Sequence, residues 1–293
     1  MTHIKPSELI LRSDGSIYHL GLKSEEIAQT IITVGDPERV SKISKYFDKI
    51  LHEQHIREFK CVTGLIEEKK ITVLSTGMGT DNIDIALTEL DILANFDLGQ
   101  RKKKPQHKSL NIIRIGTSGA LQKDIPLNGI VASKFAVDLS SLFQFYEFDK
   151  QAQTEEINRA FQEVLKQQNI HQPTHCFASD SSLLKSIGEG FIQGTTLTCP
   201  GFYGPQGRVI KVHSKITESF FNKIQEKSFS GERITNFEME TAGIYGMCAL
   251  LGHKALSLNL ILANRPMGTF SEQAEEAMDS LIKKVLERIV KNS

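Results

Sequence analysis

Short apolar runs alternate with longer stretches of helical spacing along this chain, and the alternation predicts strands and helices in turn. Thr30-Ile31-Ile32-Thr33-Val34 reads as a strand that Gly35-Asp36-Pro37 ends, with a helix over 38–47. A second strand, 70–75, runs into Gly77-Met78-Gly79. Ile83, Ala86, Leu87, Leu90, Leu93 and Ala94 then recur at helical spacing over 81–96. A third strand, 110–115, ends in Gly116-Thr117-Ser118-Gly119. Further along, 155–166 reads as helix, 174–178 as extended, 239–251 as helix, 255–263 as an apolar strand and 272–290 as an amphipathic terminal helix. Strand, turn and helix in this repetition predict an α/β sheet with helices on its faces, as one domain over 1–293. Ligands of such sheets collect at loops leaving the carboxyl ends of strands. That places Gly35-Asp36, Gly77-Met78, Thr117-Ser118 and Asn264-Arg265 around one expected site.

Composition narrows the partners. The 35 basic and 35 acidic residues cancel, which gives no support for nucleic acid or membrane as partner. No apolar run reaches the roughly 20 residues of a membrane span. The first fourteen residues lack the basic-then-apolar plan of a signal peptide. Cys61, Cys176, Cys199 and Cys248 have no close paired spacing, so neither disulfides nor a metal site are expected and a cytoplasmic location is. The basic stretch 101–108 reads as a solvated loop before the third strand.

Four constellations carry candidate chemistry. In Phe202-Tyr203-Gly204-Pro205-Gln206-Gly207-Arg208, glycine and proline fix a turn from which Gln206 and Arg208 can meet the alternating C=O and N–H edge of a pyrimidine. Phe202 offers a face for stacking; a solvated surface turn is the plainer alternative. Gly35-Asp36-Pro37-Glu38-Arg39 opens a helix, where an anion is favoured, or where Asp36 simply caps. Arg114, inside an apolar strand, needs either a bound phosphate or an internal carboxylate as partner. Asn236-Phe237-Glu238-Met239-Glu240 places two acids at a helix start, able to hold sugar hydroxyls or merely to meet the helix dipole. As i, i+2 acids on a helix they would not face each other.

These motifs, in this order, resemble the uridine phosphorylases of the nucleoside phosphorylase family. The likeness includes Tyr18-His19-Leu20-Gly21-Leu22, Gly35 to Arg39, His55-Ile56-Arg57-Glu58-Phe59, Ser75 to Gly79, Arg114 to Gly119, Phe202 to Arg208, Asn236 to Glu240 and Asn264-Arg265. The resemblance implies a central mixed β-sheet flanked by helices. It also implies reversible phosphorolysis of uridine, with deoxyuridine or thymidine as further candidates, to uracil and ribose 1-phosphate. Gly35, Arg39, Arg114 and Thr117 would bind phosphate, with Arg57 reaching in from a neighbouring subunit. Met239 and Glu240 would hold the ribose, with His19 approaching across the same interface. Phe202, Gln206, Arg208 and Gly119 would form the base pocket, supported by Arg265. Arg114, Thr117, Gln206, Arg208 and Glu240 are the expected catalytic set. No cofactor is implied, phosphate being a co-substrate; some relatives carry potassium at the dimer interface near the positions of Glu58 and Ser75. A shared site implies a homo-oligomer, dimer or hexamer.

The sequence also departs from that pattern. Ser118 replaces a second threonine, and Glu240-Thr241-Ala242-Gly243-Ile244-Tyr245 reads like the purine branch. That branch carries an aspartate after the strand matching 255–263, where this chain has Ala263-Asn264-Arg265-Pro266. The pair Gln206/Arg208 and this missing acid favour a pyrimidine over a purine. A nucleoside-binding relative without catalysis is the alternative from a different class.

Overall fold

The computed structural model describes residues 4–149 and 151–292. Its first half is built from β1 (Thr30–Val34), α1 (Pro37–Ser44), β2 (Lys49–Ile56), β3 (Phe59–Ile66), β4 (Lys69–Ser75) and α2 (Thr80–Asn95). A small hairpin of β5 (Phe96–Asp97) and β6 (Lys102–Lys103) leads to β7 (Asn111–Ala120) and β8 (Ile130–Asp138). Then come α3 (Ala152–Lys166), β9 (His175–Ala178), α4 (Ser181–Ser186), β10 (Ile192–Thr198), α5 (Glu218–Glu226) and β11 (Ile234–Glu238). The chain continues through α6 (Thr241–Leu251), β12 (Lys254–Asn264), β13 (Thr269–Phe270) and α7 (Ala274–Lys291).

Eleven strands form one mixed sheet, as expected for the α/β class. Part of it closes on itself. β7 pairs parallel with β12, β12 antiparallel with β8, β8 parallel with β10, β10 parallel with β11, and β11 antiparallel with β7. From β7 the sheet continues outward through β1, β4, β3 and β2. Closing a sheet removes its edges and makes each strand alternate between interior and exterior positions. Here the interior positions are polar and meet one another: Arg114, Ser133, Thr196, Asn236 and Asn259 are all buried.

Helices bury apolar stripes against the outside. Ile83, Leu87 and Leu90 of α2 and Ile244 and Met247 of α6 share one core. Val40 and Ile43 of α1 and Leu281 and Val285 of α7 share the opposite one. Phe161, Phe220 and Ile224 of α3 and α5 cover β8, β10 and β11. Each such side chain contributes about 1.5–3 kcal/mol by leaving water.

Most expected elements are present with shifted ends, and two shifts matter for function. β7 runs on through Thr117-Ser118, so those residues belong to a strand, not to a loop after it. Helix α6 begins at Thr241, so Glu238 ends a strand and Glu240 precedes the helix. The basic stretch is tied to backbone: Arg101 donates to the Leu9 carbonyl and Lys104 to that of Ala94. All four cysteines are buried and free, and burial pushes the Cys61 thiol up to about 12. Among the described residues no helix is long and apolar enough to cross a membrane.

Candidate active site

One cavity of about 680 Å³ opens at the carboxyl ends of β1, β7 and β11 and gathers most of the expected residues. Gly35, Arg39, Arg114, Thr117, Gly119, Phe202, Gln206, Arg208, Met239 and Glu240 all line it. Strand direction explains the convergence: each loop after a parallel strand empties onto the same end of the sheet.

The floor is an ion cluster. Arg114 Nη2 lies 2.6 Å from Glu240 Oε2 and 3.2 Å from Glu238 Oε2, while Nη1 donates to Asn259 Oδ1 at 2.7 Å. Of the two partners open to a buried arginine, an internal carboxylate pair is therefore present. The two acids do face each other across this guanidinium, contrary to the helical expectation, because they flank the end of β11 and do not sit on a helix. Burial alone would lower the Arg114 pKa, but Glu238 and Glu240 together raise it. Glu240 is pushed up, chiefly by burial, against the pull of Arg114. Its other oxygen accepts from Gly79 N–H at 2.8 Å, at the start of α2, where the helix dipole favours an anion.

Glu238 is a residue that sequence reasoning missed as a partner of Arg114. Its carboxylate accepts from the backbone N–H of Glu240 at 2.8 Å and Thr241 at 2.9 Å, and from the Thr198 hydroxyl at 2.7 Å. It thereby caps α6 and fixes the backbone that carries Glu240.

Gly116 makes room for the cluster. A Cβ there would lie 1.8 Å from Arg114 Nη1. Since that guanidinium is already held by Glu238, Glu240, Asn259 and Ser257, Gly116→Ala is expected to displace it, at a cost of about 1–3 kcal/mol. Chemical denaturation would read the loss of stability, and turnover should fall with it.

Toward the other wall, Asp36 caps α1 by accepting from Glu38 N–H at 2.9 Å, leaving Arg39 on the first turn. Arg39 Nη1 is 3.4 Å from the Ile115 carbonyl, and burial, then Arg114, lowers its pKa. Two cationic side chains thus line one end of the cavity, beside Gly35 and Asp36 of the loop that leads into α1.

The opposite end is the Phe202–Arg208 turn. Arg208 donates to the Phe202 carbonyl and to Gln206 Oε1, each at 2.6 Å, and its guanidinium lies 3.6 Å from the Phe202 ring centre. Phe202 therefore stacks on Arg208 within the protein. Burial, then Arg265, brings the Arg208 pKa down to about 10, so it stays charged at neutral pH. Arg265 does not line the cavity. It donates to the carbonyls of Gln206 at 3.2 Å and Gly207 at 3.4 Å, holding the turn from behind. Gly119 lets the Phe237 ring close against β7: a Cβ there would meet it at 3.1 Å. Asn264, where a purine-branch acid would be expected, is buried and donates to the carbonyls of Gln122 and Ile125. The cavity wall beside it is Leu262, Ala263 and Phe270.

Besides Arg265, the expected residues His19 and Arg57 are absent from this cavity's lining. They cluster elsewhere, His19 edge-on to Tyr18 and Arg57 over the same ring, 5.9 Å from its centre. Buried Glu89, also missed, accepts from His19 Nδ1 at 2.7 Å and from the backbone N–H of His19 and Leu20. Its carboxylate fixes the ring and leaves Nε2 as the outward nitrogen. Among the described residues no group of three or more His, Cys, Asp or Glu is placed to hold a metal ion.

Known proteins resemble this chain in sequence and in fold. A uridine phosphorylase of Salmonella typhimurium is 29% identical over 86% of this chain and 88% of its own length. A DeoD-type purine nucleoside phosphorylase of Colwellia psychrerythraea is 28% identical over 93% of this chain and 98% of its own. Among solved structures, a Trypanosoma brucei nucleoside phosphorylase described as showing uridine phosphorylase activity superimposes with a TM-score of 0.88 at 28% identity, covering 97% of this chain and 99% of that one. The phosphorylase superfamily model matches residues 29–291, from the first strand of the sheet to the last helix, and the chain belongs to that superfamily.

Proposed function

We propose that the protein is a uridine phosphorylase. The observation that carries this reading is one cavity with arginines and a helix start at one end, a buried carboxylate in its floor, and an amide–guanidinium pair at the other. Those three chemistries suit phosphate, a sugar diol and a pyrimidine edge in that order. Phosphate held by Arg39, Thr117 and the Gly35 backbone would attack C1′, with Arg114 beneath. The C1′–O bond forms as the C1′–N1 bond breaks, and its electron pair leaves on the base. Positioning two bound reactants removes much of the entropic barrier. Gln206 and Arg208 would meet the charge that builds on the base oxygens. Glu240, with Met239 beside it, would hold the ribose hydroxyls and sit close to the positive charge of an oxocarbenium-like sugar.

In this reading two chains complete each other's sites. Arg57 and the outward nitrogen of His19 would reach a neighbour's phosphate and ribose, since neither lines the cavity of its own chain. Glu58, which does line it, has its carbonyl oxygen 2.5 Å from the Ser75 hydroxyl. The Glu58 carboxylate and carbonyl and the Ser75 hydroxyl, whose oxygen also accepts from Lys60 N–H, are what would hold a potassium ion there. A cytoplasmic location belongs to the same reading.

The base assignment rests on Gln206/Arg208 and on the apolar wall at Leu262 and Ala263, which offers no acid to protonate a purine. Phosphorolysis of uridine and inosine should be compared in one assay. Uridine cleavage with little inosine cleavage is expected, and cleavage of inosine alone would overturn the pyrimidine assignment.

A further inference from the structure

A file of buried hydrogen bonds leaves the cavity at Arg114 and returns to it at Ser118, passing once through every strand of the closed sheet. Arg114 Nη1 on β7 donates to Asn259 Oδ1 on β12 at 2.7 Å. Asn259 Nδ2 reaches Ser133 Oγ on β8 at 3.0 Å. Ser133 Oγ is 2.6 Å from Thr196 Oγ1 on β10, and that hydroxyl is 2.9 Å from Asn236 Oδ1 on β11. Asn236 Nδ2 closes the file at 3.0 Å from Ser118 Oγ, back on β7. Ser133, Thr196, Asn236 and Asn259 each have 0% exposure, so bulk solvent does not reach them.

The direction of every bond follows from the arginine. A guanidinium can only donate, so the Asn259 oxygen must face it and the Asn259 NH2 must face Ser133. Ser133 then accepts from Asn259 and gives its own proton to Thr196. Thr196 gives its proton to Asn236, which puts the Asn236 oxygen on that side; Thr235 Oγ1 lies 2.8 Å from the same oxygen and shares its one proton between it and the Thr195 carbonyl at 3.2 Å. The Asn236 NH2 is thereby aimed at Ser118. Ser118 accepts it, and its own O–H is left for the cavity that it lines. Aligned bonds of this kind also polarise one another in a low-dielectric interior.

We propose that this ring of hydrogen bonds fixes Ser118 as a donor toward the ligand, and that Asn236, Thr196, Ser133 and Asn259 are positioning residues acting through it. The ring would select a base presenting an acceptor, a carbonyl oxygen or bare ring nitrogen, at that edge. The inference rests on the cavity binding a nucleoside base.

A double-mutant cycle tests it. Asn236→Asp replaces the NH2 by an acceptor, so Ser118 turns its proton inward. Ser118→Ala is expected to lower kcat/KM about three- to tenfold, the worth of one neutral hydrogen bond. Asn236→Asp should cost about as much with Ser118 present and less than about twofold in the Ser118→Ala background. Thr196→Val, remote from the ligand, should weaken turnover only where Ser118 is retained, and Thr196→Ser should restore it. The cycle is read on uridine, or on inosine if the wild type cleaves that instead, so failure of the pyrimidine reading shows in the wild type and failure of the ring only in the cycle. Equal losses in both backgrounds, or an unchanged kcat/KM in Ser118→Ala, would overturn the proposal.

Discussion

Replacing Arg114 with alanine is expected to cost about 3–5 kcal/mol of stability, the largest effect of any single substitution considered, because it strands two buried carboxylates. Glu238 and Glu240 side chains are 2% and 6% exposed, and Arg114 is the cation within ion-pair distance of both. Denaturant unfolding would measure the loss. Its pH dependence follows from the direction of the Glu240 shift. That carboxyl is already raised from an ordinary 4.5 by burial, and losing Arg114 raises it further. A carboxyl raised in the folded state binds its proton more tightly there than in the unfolded chain, so it stabilises the fold below the unfolded value and that stabilisation is lost as pH rises. The Arg114→Ala variant should therefore regain stability relative to wild type as pH falls toward 4.5. A deficit that does not shrink on acidification would mean that the stranded carboxylates are not its source.

Replacing Arg208 with alanine is expected to act on turnover instead. Arg208 is partly exposed, and its loss leaves Gln206 still held through its backbone by Arg265. The fold should stand while kcat/KM for uridine falls by about 10²–10³, the usual effect of removing a donor aimed at developing charge. Lysine should not rescue. It cannot both lie flat on Phe202 and donate to Gln206 and the Phe202 carbonyl as the planar fork does. Steady-state kinetics on uridine, beside thermal unfolding of the same variants, separates the two effects. An Arg208→Ala enzyme with wild-type kcat/KM would remove the turn from the base site.

Several strands legible in the chain are apolar on both faces, although β8, equally buried, was not read from the sequence. β1, β4 and β12 are buried on both sides and read as apolar runs. β10 and β11 did not, because their inward positions carry Thr196, Thr198, Asn236 and Glu238, which serve a polar interior created only when the sheet closes. β2 lies at the sheet's edge with mostly exposed residues, so Lys49–Ile56 shows no core-facing stripe. Sites behaved likewise. Gln206, Arg208 and Gly35 sit in turns whose Gly and Pro residues mark them in the sequence. Glu89, Glu238 and Asn259 acquire their roles from residues 70, 40 and 145 positions away, brought near by tertiary packing that no local pattern announces.

The central claim is phosphorolysis of uridine, and uracil release from uridine with and without inorganic phosphate tests it most directly. The cavity's arginines and helix start predict release that depends on phosphate and yields ribose 1-phosphate. Release at the same rate without phosphate, yielding free ribose, would contradict the account by making water the nucleophile.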